Sequence, residues 1–205
     1  MSIWVKLCGV RTHRDVEAAA AAGADAMGVV MTPSLRMVDI ETARALVLAA
    51  PRDLLKVAVF YRPERAHVEA VRDAVSFDLF QAEPETLEGI DGIEVLPVVH
   101  DRSDLAPAVA RAAKMSGSGR VLVESAGHGG KGAAPDWGRV AAVGNLDHVV
   151  VAGGLTPDNV GGVVATLRPG GVDVSSGVES APGVKDPILM ERFVEMARSG
   201  AREVV

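Results

Sequence analysis

A few residues in this chain have types and spacings that can do chemistry. Cys8 is the single cysteine and directly follows the apolar run 3–7. A thiolate is a base, a nucleophile or a metal ligand, whereas a lone buried thiol can equally be an inert small core residue. Glu124 closes a second apolar run, 120–123, where a carboxylate needs a partner or a task. Gly153-Gly154 and Ser175-Ser176-Gly177 each follow a further apolar run. Glycines at such a point let backbone N–H groups approach a phosphate, and serines add hydroxyl donors. The plainer alternative is that these glycines only turn the chain. Arg36, in Pro33-Ser34-Leu35-Arg36, can grip a carboxylate with both arms or sit solvated in a loop.

Other motifs tempt and fail. Gly127-His128-Gly129-Gly130-Lys131-Gly132 spells G-x-G-x-x-G. A dinucleotide site wants a helix opening on the third glycine and an acid after the next strand. Here Ala133-Ala134-Pro135 intervenes, and the next apolar run ends in Ala152-Gly153-Gly154. Gly130-Lys131 resembles the end of a nucleotide-triphosphate loop, but Ser125 and Gly132 stand where glycine and Ser/Thr are needed. Histidines 13, 67, 100, 128 and 148 show no metal-ligand spacing, so a metal site would need ligands converging from separate strands. No metal and no cofactor are expected.

Composition narrows the partners. The chain has 205 residues, formal net charge −6 and pI about 5.4. An acidic chain with 3% aromatic residues suits neither a nucleic-acid backbone nor a base-stacking platform. One cysteine forms no internal disulfide, which fits the cytoplasm. No apolar run approaches the roughly 18 residues of a membrane span, and the start lacks a signal-peptide pattern. A monomer or a homodimer is expected.

The elements that must position these residues follow from alternation. Eight short, continuously apolar runs (3–7, 27–31, 55–60, 77–80, 95–99, 120–123, 148–151 and 171–174) read as strands buried on both faces. Helical segments lie between them. Thr12 with Asp15 suggests a capping box for 14–22, Asp39 a cap for 40–49, and Asp136 a cap for 137–143. The segment 64–74 carries Ala66, Ala70 and Ala74 on one stripe, and 101–114 is similar. Thr156-Pro157 and Asp186-Pro187 are cap-then-proline starts. Only 83–89, after the fourth strand, is too short for a good helix. Strand–helix units of roughly 25 residues imply a parallel sheet with right-handed crossovers. Eight of them close into one compact (β/α)8 TIM barrel over residues 1–205; a doubly wound open sheet is the alternative. A barrel puts its chemistry at the C-terminal strand ends. Those positions are Lys6/Cys8, Thr32–Arg36, Tyr61, Gln81, His100, Glu124, Ala152–Gly154 and Ser175–Gly177. Of the 22 glycines, 17 lie after residue 116; of these Gly153, Gly154 and Gly177 stand at the last two strand ends, where a barrel holds phosphate, and the rest read as loop, turn or helix-surface positions.

Lys6-Leu7-Cys8-Gly9 and Ser34-Leu35-Arg36-Met37-Val38 resemble the phosphoribosylanthranilate isomerase family. So do the block 152–160 (AGGLTPDNV), the block 171–179 (GVDVSSGVE) and Pro182-Gly183-Val184-Lys185-Asp186. The likeness runs in order from residue 6 to 186. It implies an enzyme of tryptophan biosynthesis that rearranges a phosphoribosyl amine, an aminoaldose, into a 1-deoxyribulose phosphate. This Amadori rearrangement needs an acid and a base but no cofactor. By resemblance Cys8 is the general base, in a site that should lower its pKa. Glu124 stands at the general acid. Lys6, Arg36, Gln81 and Asp173 bind substrate, with Arg36 on the anthranilate carboxylate. Gly153, Gly154, Ser175, Ser176 and Gly177 hold the phosphate.

The chain departs from the family pattern in three places. Glu124 replaces an aspartate and is one methylene longer. Ala82-Glu83-Pro84 replaces the usual Leu-His-Gly, so a negative charge stands where a histidine is expected. Gly129-Gly130-Lys131-Gly132 replaces Gly-Gly-Ser/Thr-Gly. All three surround the sugar and anthranilate. They keep open a paralogue acting on another aminated ribose phosphate, or a silent sugar-phosphate-binding barrel.

Overall fold

The computed structural model of the chain describes residues 3–125 and 134–202. Strands and helices alternate: β1 (Trp4–Cys8), α1 (His13–Ala21), β2 (Ala26–Val30), α2 (Ile40–Ala49), β3 (Leu55–Val59), α3 (Arg65–Ala74), β4 (Leu79–Ala82), α4 (Pro84–Leu87). They continue as β5 (Val95–His100), α5 (Leu105–Ala113), β6 (Val121–Glu124), α6 (Trp137–Ala141), β7 (Val149–Ala152), α7 (Val160–Leu167) and β8 (Gly171–Val174). β1 to β8 form one closed parallel barrel in chain order, the expected (β/α)8 architecture. A short antiparallel pair, β9 (Glu179–Ala181) and β10 (Val184–Lys185), follows, and α8 (Pro187–Arg202) ends the fold.

The continuous apolar runs are explained by burial on both faces. Val5, Leu7, Met27, Val29, Val121, Val123, Val149 and Val151 pack outward against the helices. Trp4, Ala26, Val57, Leu96, Val98, Leu122 and Val150 fill the barrel interior. The period of two then puts Lys6 and Cys8 on the inner face above Trp4, and His100 above Leu96 and Val98. Among the described residues no helix is long and apolar enough to cross a membrane.

Most helix starts follow their sequence signals. Thr12 and Asp15 form a capping box, Asp39 accepts from the Thr42 amide, and Asp136 accepts from the amides of Gly138 and Arg139. Asp186 accepts from Ile188 and Leu189 at the head of α8.

Several boundaries move, for physical reasons. β1, β5 and β6 run on to Cys8, His100 and Glu124. Ladder hydrogen bonds belong to the backbone, so pairing continues under a polar side chain where an apolar run has already stopped. The fourth strand sits two residues later than expected, at Leu79–Ala82. On α3 the buried stripe is Val68 and Val71, while Ala66 and Ala70 are exposed, because the larger apolar surface wins the core. The fifth helix begins only at Leu105, since the Asp101 carboxylate is committed to the Asp136 amide (2.7 Å) and to Arg139 (2.7 and 2.9 Å). At Thr156-Pro157 a helical turn forms, with Val160 N–H donating to the Thr156 carbonyl at 3.0 Å. The cap is reversed there: Thr156 N–H donates to Asn159 Oδ1 at 2.8 Å, and the regular helix starts at Val160. Gly129, Gly130 and Gly132, expected as a loop beside Glu124, lie outside the described residues.

Candidate active site

The barrel mouth holds a cavity of about 260 Å³. Cys8, Arg36, Gln81, Glu124, Gly153, Gly154, Asp173, Ser175, Ser176 and Gly177 all line it. Lys6 lies one layer deeper on the same face of β1 as Cys8, and it is fully buried. The expected residues are therefore brought together.

Register explains the arrangement. Lys6 pairs with Asp173 across β1 and β8, and Lys6 Nζ donates to Asp173 Oδ1 at 2.8 Å. Burial pulls the Lys6 ammonium pKa down, but Asp173 and Cys8 outweigh it, so the net shift is upward and Lys6 stays charged. Gly28 of β2 sits against this group; a Cβ there would come within 2.9 Å of Cys8 Sγ and 3.1 Å of Lys6 Nζ.

Cys8 corrects an expectation. Its thiol pKa is pushed up, not down. Burial is the largest cause and Asp173 adds to it, while Lys6 and Lys185 pull the other way without prevailing. An anion at this buried position loses more hydration than two partly committed ammonium groups restore.

Arg36 is already engaged by an internal carboxylate. Its Nε and Nη2 donate to the two Glu179 oxygens at 2.7 and 2.8 Å. Its bidentate edge is thus taken by Glu179, and a substrate carboxylate would meet the remaining N–H groups. Lys185 Nζ donates to Glu179 at 2.9 Å and to the Ser175 carbonyl at 2.8 Å. Burial alone would raise the Glu179 pKa; Arg36, the Gly183 amide and Lys185 hold it at about 2. The β9–β10 hairpin delivers both Glu179 and Lys185. The turn dipeptide Pro182-Gly183 signals that hairpin in the sequence.

Gln81 is 5% exposed, and its Oε1 has no hydrogen-bond partner among the described residues. An orphaned buried acceptor costs about 1–3 kcal/mol, which a hydroxyl donor on a ligand would relieve.

The two glycine-bearing loops stand side by side after β7 and β8. Gly153 and Gly154 adopt φ of +96° and +64°, a region that side chains rarely reach. A Cβ on Gly177 would collide with the Leu155 carbonyl, so the two loops pack backbone against backbone. Ser175 and Ser176 border the same cavity.

Glu124 sits across the mouth on β6. Its pKa is raised to about 7. Burial is the main cause, Asp173 and Glu83 add, and His100 and Lys6 oppose. A carboxyl that keeps its proton near neutrality is suited to general acid work. His100 Nδ1 lies 3.3 Å from Glu124 Oε1, and His100 Nε2 lies 3.3 Å from Glu83 Oε1. Sequence reading gave no role to His100, Glu83, Glu179 or Lys185. His100 did stand at a strand end, and Glu83 at a departure from the family pattern. Among the described residues no cluster of three His, Cys, Asp or Glu side chains forms a metal site.

Known proteins resemble this chain along nearly its whole length. Residues 5–196 match the family model described as N-(5'phosphoribosyl)anthranilate (PRA) isomerase. The N-(5'-phosphoribosyl)anthranilate isomerase of Pseudomonas aeruginosa is 39% identical, with 98% of each chain covered. The phosphoribosyl anthranilate isomerase structure from Thermotoga maritima superposes with TM-score 0.83 at 28% identity, covering 95% of this chain and 98% of that one. A structure of such an isomerase in complex with reduced 1-(o-carboxyphenylamino)-1-deoxyribulose 5-phosphate gives TM-score 0.78 at 28% identity and the same coverage. This chain belongs to the N-(5'-phosphoribosyl)anthranilate isomerase family.

Proposed function

We propose that the chain converts N-(5'-phosphoribosyl)anthranilate into 1-(2-carboxyphenylamino)-1-deoxyribulose 5-phosphate in tryptophan biosynthesis, with Glu124 as acid and Cys8 as base. The observation that carries the role assignment is their placement. Cys8 on β1 and Glu124 on β6 stand three strands apart around the ring and line one cavity. The substrate phosphate is assigned to Gly153, Gly154, Ser175, Ser176 and Gly177, which anchors the sugar between the two groups. Gln81 supplies an acceptor for a sugar hydroxyl. Arg36 and Lys6 supply positive charge, and Asp173 fixes Lys6.

The steps balance. Glu124 gives its proton to the ring oxygen, the carbon 1–oxygen bond breaks, and the nitrogen lone pair closes the iminium. The Cys8 thiolate takes the proton from carbon 2. That electron pair becomes the carbon 1–carbon 2 double bond, and the iminium pair returns to nitrogen. The enolamine then loses the carbon 2 hydroxyl proton and gains a proton at carbon 1, leaving the ketone. Two protons are gained and two lost, with no net electron transfer. The iminium also offsets the burial that disfavours the thiolate, because it places positive charge one carbon from the proton being removed.

The base must be a free thiol, which fits a reducing compartment such as the cytoplasm. The test is complementation of a tryptophan auxotroph lacking the isomerase step. The wild-type chain restores growth, and Cys8→Ala and Glu124→Gln do not. Full growth with either variant removes that role. No growth with the wild type favours a paralogue acting on another aminated ribose phosphate.

A further inference from the structure

The mouth of the barrel contains a row of three ionisable side chains that the reaction above uses only at one end. Glu83 leads into α4, His100 ends β5 and Glu124 ends β6, and the register sets His100 opposite Glu124. His100 Nε2 lies 3.3 Å from Glu83 Oε1, and His100 Nδ1 lies 3.3 Å from Glu124 Oε1 and 3.4 Å from the Ser125 carbonyl. The three side chains are only 15%, 14% and 18% exposed. Glu83 is itself held, accepting from the Arg62 amide through Oε2 at 3.3 Å. Both ring nitrogens of His100 thus face acceptors, a setting that suits the imidazolium, which donates from both.

We propose that His100 is a positioning residue for the Glu124 acid: fixed by Glu83, it presents a positive charge that holds the Glu124 carboxylate once the proton has passed to the ring oxygen. In the productive form Glu124 carries its proton and its charge appears only as the reaction proceeds, so a preplaced cation stabilises the transition state more than that form. This inference rests on the isomerase reading for its catalytic meaning, but its structural content does not. The other charged groups acting on Glu124 among the described residues are Lys6 of β1, Asp173 of β8 and Glu83. His100 is acted on by Glu83 and Glu124. The next carboxylate along, Asp101, is neutralised by Arg139. The His100 pKa is raised, first by its contact with Glu83 and then by Glu124 and the Ser125 carbonyl, against the opposing effect of burial.

The test follows the Glu124 carboxyl and the His100 ring by NMR titration of the ligand-free protein. Assignments come from the resonances lost in Glu124→Gln and His100→Gln. In the wild type, His100 keeps its proton above the ordinary value near 6.5, and Glu83→Gln lowers its midpoint. In His100→Gln the Glu124 midpoint rises by about 0.7 pH unit or more, the effect of losing a unit charge roughly 4 Å away even in a water-like medium. The rising limb of kcat/KM against pH moves by the same amount. A His100 ring that is neutral at pH 7, or a Glu124 midpoint unchanged in His100→Gln, overturns the inference. Should His100→Gln not fold, the Glu83→Gln titration of His100 decides alone. If the carboxyl shifts as expected but the wild type does not turn over N-(5'-phosphoribosyl)anthranilate, the His100–Glu124 coupling stands and its catalytic meaning falls with the isomerase reading.

Discussion

Raising the pH through neutrality should switch this enzyme on. Turnover needs Cys8 as thiolate and Glu124 as acid, one proton shared between two groups. The Glu124 pKa is about 7 and the Cys8 thiol lies above its ordinary value. The acid therefore loses its proton before the base does. Below pH 7 the free enzyme carries one proton too many. Above it the single proton sits mostly on sulfur. With the thiol above its ordinary value and Glu124 near 7, the productive arrangement is the minor form of the singly protonated enzyme. The kcat/KM profile is then a bell that rises near pH 7 with the titration of Glu124 and falls as the His100 imidazolium and the Cys8 thiol lose their protons. The substrate phosphate also titrates, near pH 6, but it is common to every variant, so comparison with His100→Gln isolates the protein limb. A second assay reads the thiol alone. Cys8 is the single cysteine, so the rate of alkylation by iodoacetamide against pH reports its ionisation with no background. Its midpoint should exceed about 8.5 in the ligand-free enzyme. A kcat/KM that already reaches its plateau by pH 5, or an alkylation midpoint below 7, refutes this reasoning.

Three further outcomes follow from the same contacts. Lys6→Met leaves Asp173 buried without its partner and should destabilise the fold by about 3–5 kcal/mol, read by urea unfolding; an unchanged midpoint would mean that the pair is not formed in solution. Glu179 has its folded pKa depressed to about 2, so its contribution is complete above its unfolded pKa and is lost as pH falls through 4.5 towards 2. Glu179→Gln should therefore flatten the acid limb of thermal stability in that window, removing up to about 3 kcal/mol at neutral pH; a parallel displacement of the whole curve argues against it. Gly177→Ala drives a Cβ into the Leu155 carbonyl and spreads the two phosphate loops. Its KM should rise at least about tenfold, and a wild-type KM would remove the cradle assignment.

How far the site was legible depended on which force placed each residue. Continuous apolar runs identified the barrel because parallel strands are buried on both faces. The same signal stopped the first, fifth and sixth strands short, at the polar residues that matter most: Cys8, His100 and Glu124. Capping residues were legible because they act within one turn. The Arg36–Glu179 pair joins residues 143 apart, and no local pattern announces such a partnership. The raised Cys8 pKa was hidden for a similar reason: a base role implies a lowered value, and only the burial of the thiol, with Lys6 and Lys185 committed to other partners, reverses it. Glu83 looked like an unfavourable charge until β5 brought His100 against it.

The central claim is that Cys8 and Glu124 are the base and acid of one isomerisation. The most direct measurement is kcat/KM of the purified protein on N-(5'-phosphoribosyl)anthranilate for the wild type, Cys8→Ala and Glu124→Gln. The account predicts turnover by the wild type and a loss of about 10²–10⁴ in each variant with the fold intact. Either folded variant retaining activity within a few-fold of the wild type would contradict it.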